Sequence, residues 1–135
     1  MKRRSLALFA AALAFSFIGA QGAAAHEIKP AVTKLLNQPL AGIAGQEANV
    51  VLFEVGPGWT IGKHIHAGHL FLYMLEGSIK IEVEGEPTVV LSPGDVLYEL
   101  PGPSMVANNV SSTKGARFLV FQVGNIGEPL LVMVE

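Results

Sequence analysis

The fold of this chain is decided by one stretch, which reads Gly58-Trp59-Thr60-Ile61-Gly62-Lys63-His64-Ile65-His66. Successive side chains of a β-strand point to opposite faces, so His64 and His66 are expected on the same face. Imidazole is the side chain that most often binds transition metals in proteins. The stretch therefore predicts a strand that carries a paired metal site.

The residues on both sides of this stretch read as further strands. From Glu47 onward, short β-branched and aromatic runs are separated by Gly and Pro at intervals of about ten residues, a pattern typical of an all-β sandwich or barrel. Each interruption supplies turn residues such as Gly56-Pro57-Gly58. The predicted strands are Asn49–Val55, Thr60–His66, Leu70–Leu75, Ser78–Glu84, Thr88–Leu91, Val96–Leu100, Ser104–Asn108 and Arg117–Val123.

Two of these strands and the carboxyl-terminal run indicate which faces are covered. Residues 78–84 alternate apolar with polar side chains, which predicts that Ile79 and Ile81 face a core. Residues 117–123 alternate more weakly, as in a strand covered on both sides, and a homodimer partner is expected there. The apolar run at residues 129–134 would be an aggregation hazard as a free edge. It either lies against a second copy or pairs inside the same barrel.

The histidine stretch and the following Tyr73-Met74-Leu75-Glu76-Gly77 resemble the first motif of the cupin superfamily, in which a glycine, two histidines, a glutamate and a second glycine follow in order. The family's second motif is resembled by Pro93-Gly94-Asp95 and by residues 101–109. The resemblance implies a small single-domain cupin, all-β, with a jelly-roll barrel over residues 47–135.

The resemblance also implies four metal ligands, of which this chain keeps two. Leu70 or Phe71 stands at the position of the family's glutamate, and Met105 at that of its last histidine. Leucine and phenylalanine cannot bind metal, so a hard Mn or Fe site of the usual kind is weakened. His69, one residue before the glutamate position, either substitutes for it or is exposed on the far face of its strand.

We therefore expect a transition metal on a degenerate site of His64, His66 and Met105, with His69 as a further candidate ligand. Histidine and methionine together favour copper, and zinc, iron, manganese and nickel stay open. A free amino-terminal His26 would offer a further copper ligand. Met105 could instead be an apolar filler of the barrel, and both imidazoles would be structural if they were buried and hydrogen-bonded to backbone.

Two other functions stay open. A metal-free cupin would bind a small apolar ligand in a pocket of apolar side chains, with Trp59 either at its mouth or in the core. A metal-dependent enzyme, dioxygenase- or isomerase-like, lacks a clear carboxylate partner for its histidines. Tyr73, Tyr98 and Glu99 could face either way, and Asn109 is interpreted as structural. The apolar side chains expected to line the pocket of a metal-free cupin are Leu70, Phe71, Leu72, Met74 and Met105.

The amino terminus predicts export. Three basic residues precede an apolar run and an Ala-rich cleavage site, which makes residues 1–25 a secretory signal peptide, followed by a leader strand and loop at 26–46. The protein is then periplasmic or secreted, without a membrane anchor. Six Lys and Arg against eleven Asp and Glu leave the processed chain at −5, which disfavours nucleic acid. The absence of cysteine excludes disulfides and thiolate ligands.

Overall fold

The computed structural model describes residues 29–135, and the predicted signal peptide lies outside them. All regular structure in the described part of the chain is β, as the turn spacing predicted, and no helix there is long and apolar enough to span a bilayer. The strands are β1 Ala31–Pro39, β2 Gln46–Val55, β3 Thr60–Ile65, β4 His69–Glu76, β5 Ile79–Val83, β6 Val89–Leu91, β7 Val96–Glu99, β8 Met105–Asn109, β9 Ala116–Asn125 and β10 Val132–Met133.

The strands form two antiparallel five-stranded sheets that face each other. The first sheet has the order β1-β2-β9-β4-β7 and the second the order β10-β3-β8-β5-β6. Consecutive strands therefore often lie in different sheets, as the chain crosses from one to the other. This is the jelly-roll arrangement that the resemblance implied.

The core lies between the sheets and is filled by alternate residues of each strand. Ile79 and Ile81 of β5 are fully buried, as their alternation with charged residues predicted. Phe53 of β2 stacks on Phe118 of β9, with ring centroids 5.2 Å apart. Such a core, made from strands that are far apart in the sequence, lets a chain without disulfides hold its shape through packing.

The carboxyl-terminal run pairs inside the same barrel, which decides between the two alternatives left by the sequence. Val132 is opposite Ile65 and Met133 is opposite His64, so β10 covers the edge of β3. The preceding residue 130 packs against the core as part of the same segment. This segment therefore forms one wall of the space around the paired histidines.

The leader strand and β9 leave apolar surface uncovered. β1 pairs with β2 along its whole length, and all nine of its residues are exposed. On β9, Phe118, Val120 and Gln122 are buried, whereas Phe121 on the opposite face is exposed. The strand at residues 117–123 was predicted to be covered on both faces, but in the single chain its outer face is open at Phe121.

Candidate functional site

The two histidines of the deciding stretch share one enclosed space between the sheets. His64 lies near the end of β3 and His66 just after it, and both side chains are buried. Their ring centroids are 5.0 Å apart with the planes nearly perpendicular. The period of two in a strand thus placed both imidazoles on the inner face, as the sequence predicted.

Each imidazole is bound to backbone through Nδ1. His64 Nδ1 lies 2.8 Å from the Gly62 carbonyl oxygen, and His66 Nδ1 lies 2.7 Å from that of Leu130. A carbonyl can only accept a hydrogen bond, so Nδ1 carries the proton in both rings. In a neutral imidazole the unprotonated lone pair is then on Nε2. Both imidazoles are thus buried and hydrogen-bonded to backbone, which meets the two conditions set for a structural role, while neither Nε2 has a backbone partner.

Glu99 is the side chain that engages the second histidine. Its Oε2 lies 3.2 Å from His66 Nε2, and both side chains are almost completely buried. Because Nδ1–H of His66 is already committed to Leu130, this contact needs a second proton on the pair, either on Nε2 or on the carboxyl. The site therefore contains a buried acid–base pair that the sequence did not assign.

Glu99 lies beside Leu70, one of the two positions at which the family's glutamate is missing. Leu70 of β4 lies directly opposite Glu99 of β7, so the two residues share the inner face of adjacent strands. A carboxylate therefore faces the cavity from the strand next to β4. Alternation within β7 was the available signal, because Leu97 also faces inward whereas Val96 and Tyr98 are exposed.

The space around these groups is small and mostly apolar. Its cavity volume is about 50 Å³, room for one or two water molecules. The polar side chains of its wall are His64, His66 and Glu99. The apolar wall comprises Phe53, Trp59, Ile61, Leu70, Leu72, Ile79, Ile81, Met105, Ala107, Phe118, Val120, Leu130 and Leu131.

Burial lowers the pKa of His64 below its ordinary value, because the charged imidazolium would lose its hydration. The positive charge that His66 can carry lowers it further, whereas the Gly62 carbonyl and Glu99 oppose the shift. His64 is therefore neutral at neutral pH, with a free Nε2. Within residues 29–135, no three His, Cys, Asp or Glu side chains are grouped so that they could hold a metal ion as they stand.

Of the other two predicted ligands, one lies at the site and one does not. Met105 is buried, is the cross-strand neighbour of His64, and lines the cavity. His69 is exposed on the outer face of β4, where its Nδ1 lies 2.6 Å from the Tyr98 hydroxyl. The expectation that His69 could take the place of the family's glutamate is corrected, because the turn before β4 does not change its facing.

The remaining candidates have packing or turn roles. Trp59 contacts the core and tilts against Phe118, with centroids 6.3 Å apart. Asn109 donates from Nδ2 to the Gly56 and Lys114 carbonyls and accepts from the Ser111 amide, so it ties loops together. The exposed side chain of Tyr73 lies outside the cavity.

The fold and the paired histidines define a cupin, and the sequence comparison agrees. Residues 51–121 match the cupin domain family, and the chain belongs to that family. No curated protein matches the sequence. The particular relatives found are solved structures of low sequence identity, which share the fold.

Two of these structures cover most of both chains. A cupin superfamily protein of Desulfitobacterium hafniense DCB-2 is 17% identical over 76% of this chain and 84% of its own, with a TM-score of 0.57. A protein with a double-stranded β-helix domain from Klebsiella pneumoniae is 19% identical over 79% and 85%, with a TM-score of 0.61. The fold is therefore the double-stranded β-helix of cupins.

A third structure is that of a larger protein. The DMSP lyase DddQ of Ruegeria pomeroyi DSS-3 is 20% identical over 90% of this chain, with a TM-score of 0.62. The match spans 59% of the lyase. At this sequence identity, the similarity shows only that the two proteins share the barrel fold.

Proposed function

We propose that this protein is an exported small cupin that binds a transition metal through Nε2 of His64 and His66. One observation carries the proposal. Both imidazoles donate Nδ1–H to backbone carbonyls, at 2.8 and 2.7 Å, which leaves Nε2 of two neighbouring rings that line one cavity as the nitrogens for a metal. Histidines that bind metal typically have their other ring nitrogen fixed in this way, which sets the tautomer and the ring orientation.

The size of the cavity supports an ion over an organic ligand. A volume of about 50 Å³ is far below the range of roughly 300–1,000 Å³ of sites for small organic molecules. The apolar-ligand alternative would need the wall to open. A metal with a bound water requires no such change, and the lowered pKa of His64 keeps that imidazole in the binding form.

Two further side chains would determine which metal is held. Glu99 could supply an oxygen donor after leaving His66, and an oxygen donor suits zinc, iron or manganese. Met105 lines the same cavity and could supply a thioether, which suits copper, especially Cu(I). When bound, the metal would supply Lewis acidity, while the protein positions the donors and limits access of water.

The first experiment is elemental analysis of the purified protein after dialysis, scanning copper, zinc, iron, manganese and nickel together. We expect near-stoichiometric metal in the wild type and its loss in the His64→Ala/His66→Ala double variant. His69→Ala is the matched control, since it removes an exposed histidine. Equal metal content in wild type and double variant, with both folded, would assign the pair a structural role.

The identity of the metal is tested at Met105. Met105→Leu conserves volume and apolarity, so we expect the variant to bind zinc with unchanged affinity. Cu(I) affinity should fall by about tenfold or more if the thioether binds it. Unchanged Cu(I) affinity would make Met105 a core residue only.

A second candidate function is general acid–base catalysis, favoured by the 3.2 Å contact between His66 Nε2 and Glu99. This pair provides the carboxylate partner that the sequence seemed to lack. Because some proteins of similar fold are DMSP lyases, DMSP is the first substrate to assay. Turnover that is lost in Glu99→Gln but kept in the exposed Glu54→Gln would support catalysis, and no turnover in the wild type would count against it for this substrate.

Export to the periplasm or the medium is proposed from residues 1–25. Cell fractionation and amino-terminal sequencing test it, and we expect the processed chain to begin at His26 outside the cytoplasm. Recovery of a chain that retains residues 1–25 in the cytoplasm would contradict export.

We also propose a homodimer through the outer face of the first sheet. One row of apolar cross-strand neighbours runs across all five strands there, and several of its side chains are exposed in the single chain. A continuous apolar row is typical of a surface that a partner covers, and a second copy presents the same row. We call this the outer apolar row; its members are Leu36, Val50, Phe121, Phe71 and Tyr98.

A further inference from the structure

A second and larger cavity lies on the other side of Leu130, whose side chain also lines the histidine cavity. Its volume is about 360 Å³, and its wall is mixed in polarity. We call it the polar pocket. Its lining residues are Lys34, Asn37, Glu47, Asn49, Val51, Gln122, Ile126, Gly127, Glu128, Pro129 and Leu130.

The polar pocket is built on an ordered hydrogen-bond network around Glu47. Asn37 Nδ2 donates to Glu47 Oε2 and to Asn49 Oδ1, each at 2.8 Å. Asn49 Nδ2 and the Gly127 amide donate to Glu47 Oε1, at 3.1 and 3.3 Å. The hydrogen bond from Asn37, followed by that from Asn49, lowers the pKa of Glu47. Its carboxylate is therefore charged and rigidly held at neutral pH.

One polar side chain of the pocket has no place in this network. Gln122 is only 2% exposed, and its Nε2 has no hydrogen-bond partner among the described residues. It lies on β9 directly opposite Asn49 of β2, with the same facing. Buried amides without a partner are rare in folded proteins, because the group has given up its hydration. Gln122 also lines the polar pocket, and because its Nε2 is itself inaccessible, the amide would have to rotate to donate to an occupant there.

We propose that the polar pocket binds a small uncharged polyhydroxylated molecule, of the sugar or polyol class. Among the described residues, the side-chain amide donors of the wall without a partner are the two N–H groups of Gln122 and the second N–H of Asn49, and they need acceptor atoms. A cation offers no acceptor. An anion meets the fixed charge of Glu47, and the carboxylates of Glu47 and Glu128 outnumber the single ammonium of Lys34.

A hydroxyl group fits both requirements at once. Its oxygen accepts from Gln122 or Asn49, while its hydrogen is donated to Glu47 or to the free carbonyl oxygen of Asn37. The apolar part of the wall, which includes Val51 and Leu130, suits the C–H surface of such a molecule. The volume lies at the lower end of the roughly 300–1,000 Å³ range of small-molecule sites.

The test measures binding of myo-inositol, sorbitol and glucose, with gluconate and glucosamine as charged counterparts, by calorimetry in the presence of a chelator. The chelator keeps the histidine site free of metal, so this experiment does not depend on the metal proposal. We expect at least one neutral probe to bind, and to bind more tightly than both charged compounds. No binding by any neutral probe, or preference for a charged one, would overturn the proposal.

The location of the binding site is tested with the variant Gln122→Met, which keeps an unbranched side chain of similar length and removes the amide. We expect about tenfold weaker binding or more. The thermal midpoint should not fall, because the substitution removes an unpartnered buried polar group. Gln38→Met is the matched control, since Gln38 is exposed and bonds only to the Pro39 carbonyl. Unchanged binding in Gln122→Met would overturn the assignment.

A measurement on the wild type covers the case that Gln122→Met does not fold. Addition of the neutral probe should shift the backbone amide NMR signals of Asn49, Gln122 and Gly127 and leave those of half-buried Lys80 and exposed Val90, both in the second sheet, unchanged. Shifts confined to other parts of the chain would show that the probe binds elsewhere and would overturn the proposal.

Discussion

At the scale of single residues, metal binding at the candidate site depends on where the imidazole protons lie. The Nδ1–H groups of both histidines are committed to carbonyls, so the metal-binding atoms are the Nε2 atoms. His64 Nε2 is free of protons in the neutral ring, whereas the 3.2 Å contact of His66 Nε2 with Glu99 is a hydrogen bond only when that pair holds a proton. A metal that binds both imidazoles must displace that proton, so binding is coupled to proton release.

Zinc binding to the wild type should therefore release about one proton. In Glu99→Gln the side-chain amide can donate to His66 Nε2 without a titrating proton, and we expect the release to fall well below one. Calorimetry in two buffers of different ionisation enthalpy measures the difference. Glu54→Gln, an exposed carboxylate paired with Arg117, is the control. Equal proton release in all three proteins would argue against His66 as a ligand.

The lowered pKa of His64 gives a pH dependence of stability with a definite sign. The folded state binds the imidazole proton less readily than the unfolded state, so stability is full above the unfolded pKa of about 6.5. It is lost as the pH falls from there through the folded pKa. We expect His64→Gln, measured by thermal unfolding with chelator present, to flatten this decline. His69→Gln should keep it, and a wild-type decline equal to that of His64→Gln would contradict the assignment.

The residues that sequence could predict are those fixed by local pattern. His64 and His66 share a face because they are two residues apart, and Met105 follows from the second motif. Glu99 was left undecided, because its importance depends on facing His66 from another strand. His69 was undecided because a turn separates it from the paired histidines, and the sequence does not report how a turn sets the facing of the next strand. Gln122 gave no signal, since an unpartnered amide is a property of packing.

At the scale of elements, the strands were predictable because their periodicity and turns are local. The predicted strand 78–84 appears as β5, Ile79–Val83, with its inner residues buried as expected. The course of residues 26–46 was not predictable in detail, and the structure has β1 at Ala31–Pro39 antiparallel to β2. The pairing of β10 with β3 likewise depends on contacts across more than sixty residues of sequence, which no local pattern encodes.

The turn between β4 and β5 offers a test of how closely these elements pack. Gly77 has φ of 75°, and a Cβ built there would lie 2.7 Å from the Gly115 carbonyl oxygen and 2.8 Å from Ala116 Cβ. Gly77→Ala should therefore cost about 1–2 kcal/mol for the left-handed backbone and about 1–3 kcal/mol more for the overlap. Urea unfolding measures the loss.

The control for this prediction is Gly85→Ala. Gly85 has φ of 83°, but a Cβ there would have no atom within 4 Å, so only the backbone cost of about 1–2 kcal/mol is expected. If both variants lost the same stability, the close approach of the β4–β5 turn to β9 would not be a determinant of the fold.

At the scale of the whole molecule, the first sheet carries a different row of side chains on each face. The inner row connects Asn37, Asn49, Gln122, Leu70 and Glu99 across five strands, through cross-strand pairs. The row is polar where Asn37, Asn49 and Gln122 line the polar pocket. It is apolar at Leu70 and acidic at Glu99, which line the histidine cavity. The sheet therefore lies behind both proposed binding sites and fixes their spacing, while its opposite face holds the outer apolar row.

The outer apolar row leads to a prediction about assembly. Phe71, which lies in the row between Phe121 and Tyr98, is exposed and stacks with Tyr98 at 5.0 Å. We expect the wild type to be a dimer by analytical ultracentrifugation and Phe71→Glu to be a folded monomer. An unpaired carboxylate in the interface should weaken association by at least about 2 kcal/mol, or roughly 30-fold in Kd.

Val90→Glu is the matched control for Phe71→Glu, because Val90 is an exposed apolar residue of the second sheet. It introduces the same charge away from the outer apolar row, so the dimer should persist. A dimer that Val90→Glu disrupts and Phe71→Glu does not would move the interface to the other sheet. A wild type that stays monomeric at high concentration would contradict the proposed homodimer. The outer face of the first sheet would then be open to solvent, and each proposed binding site would be formed by a single chain.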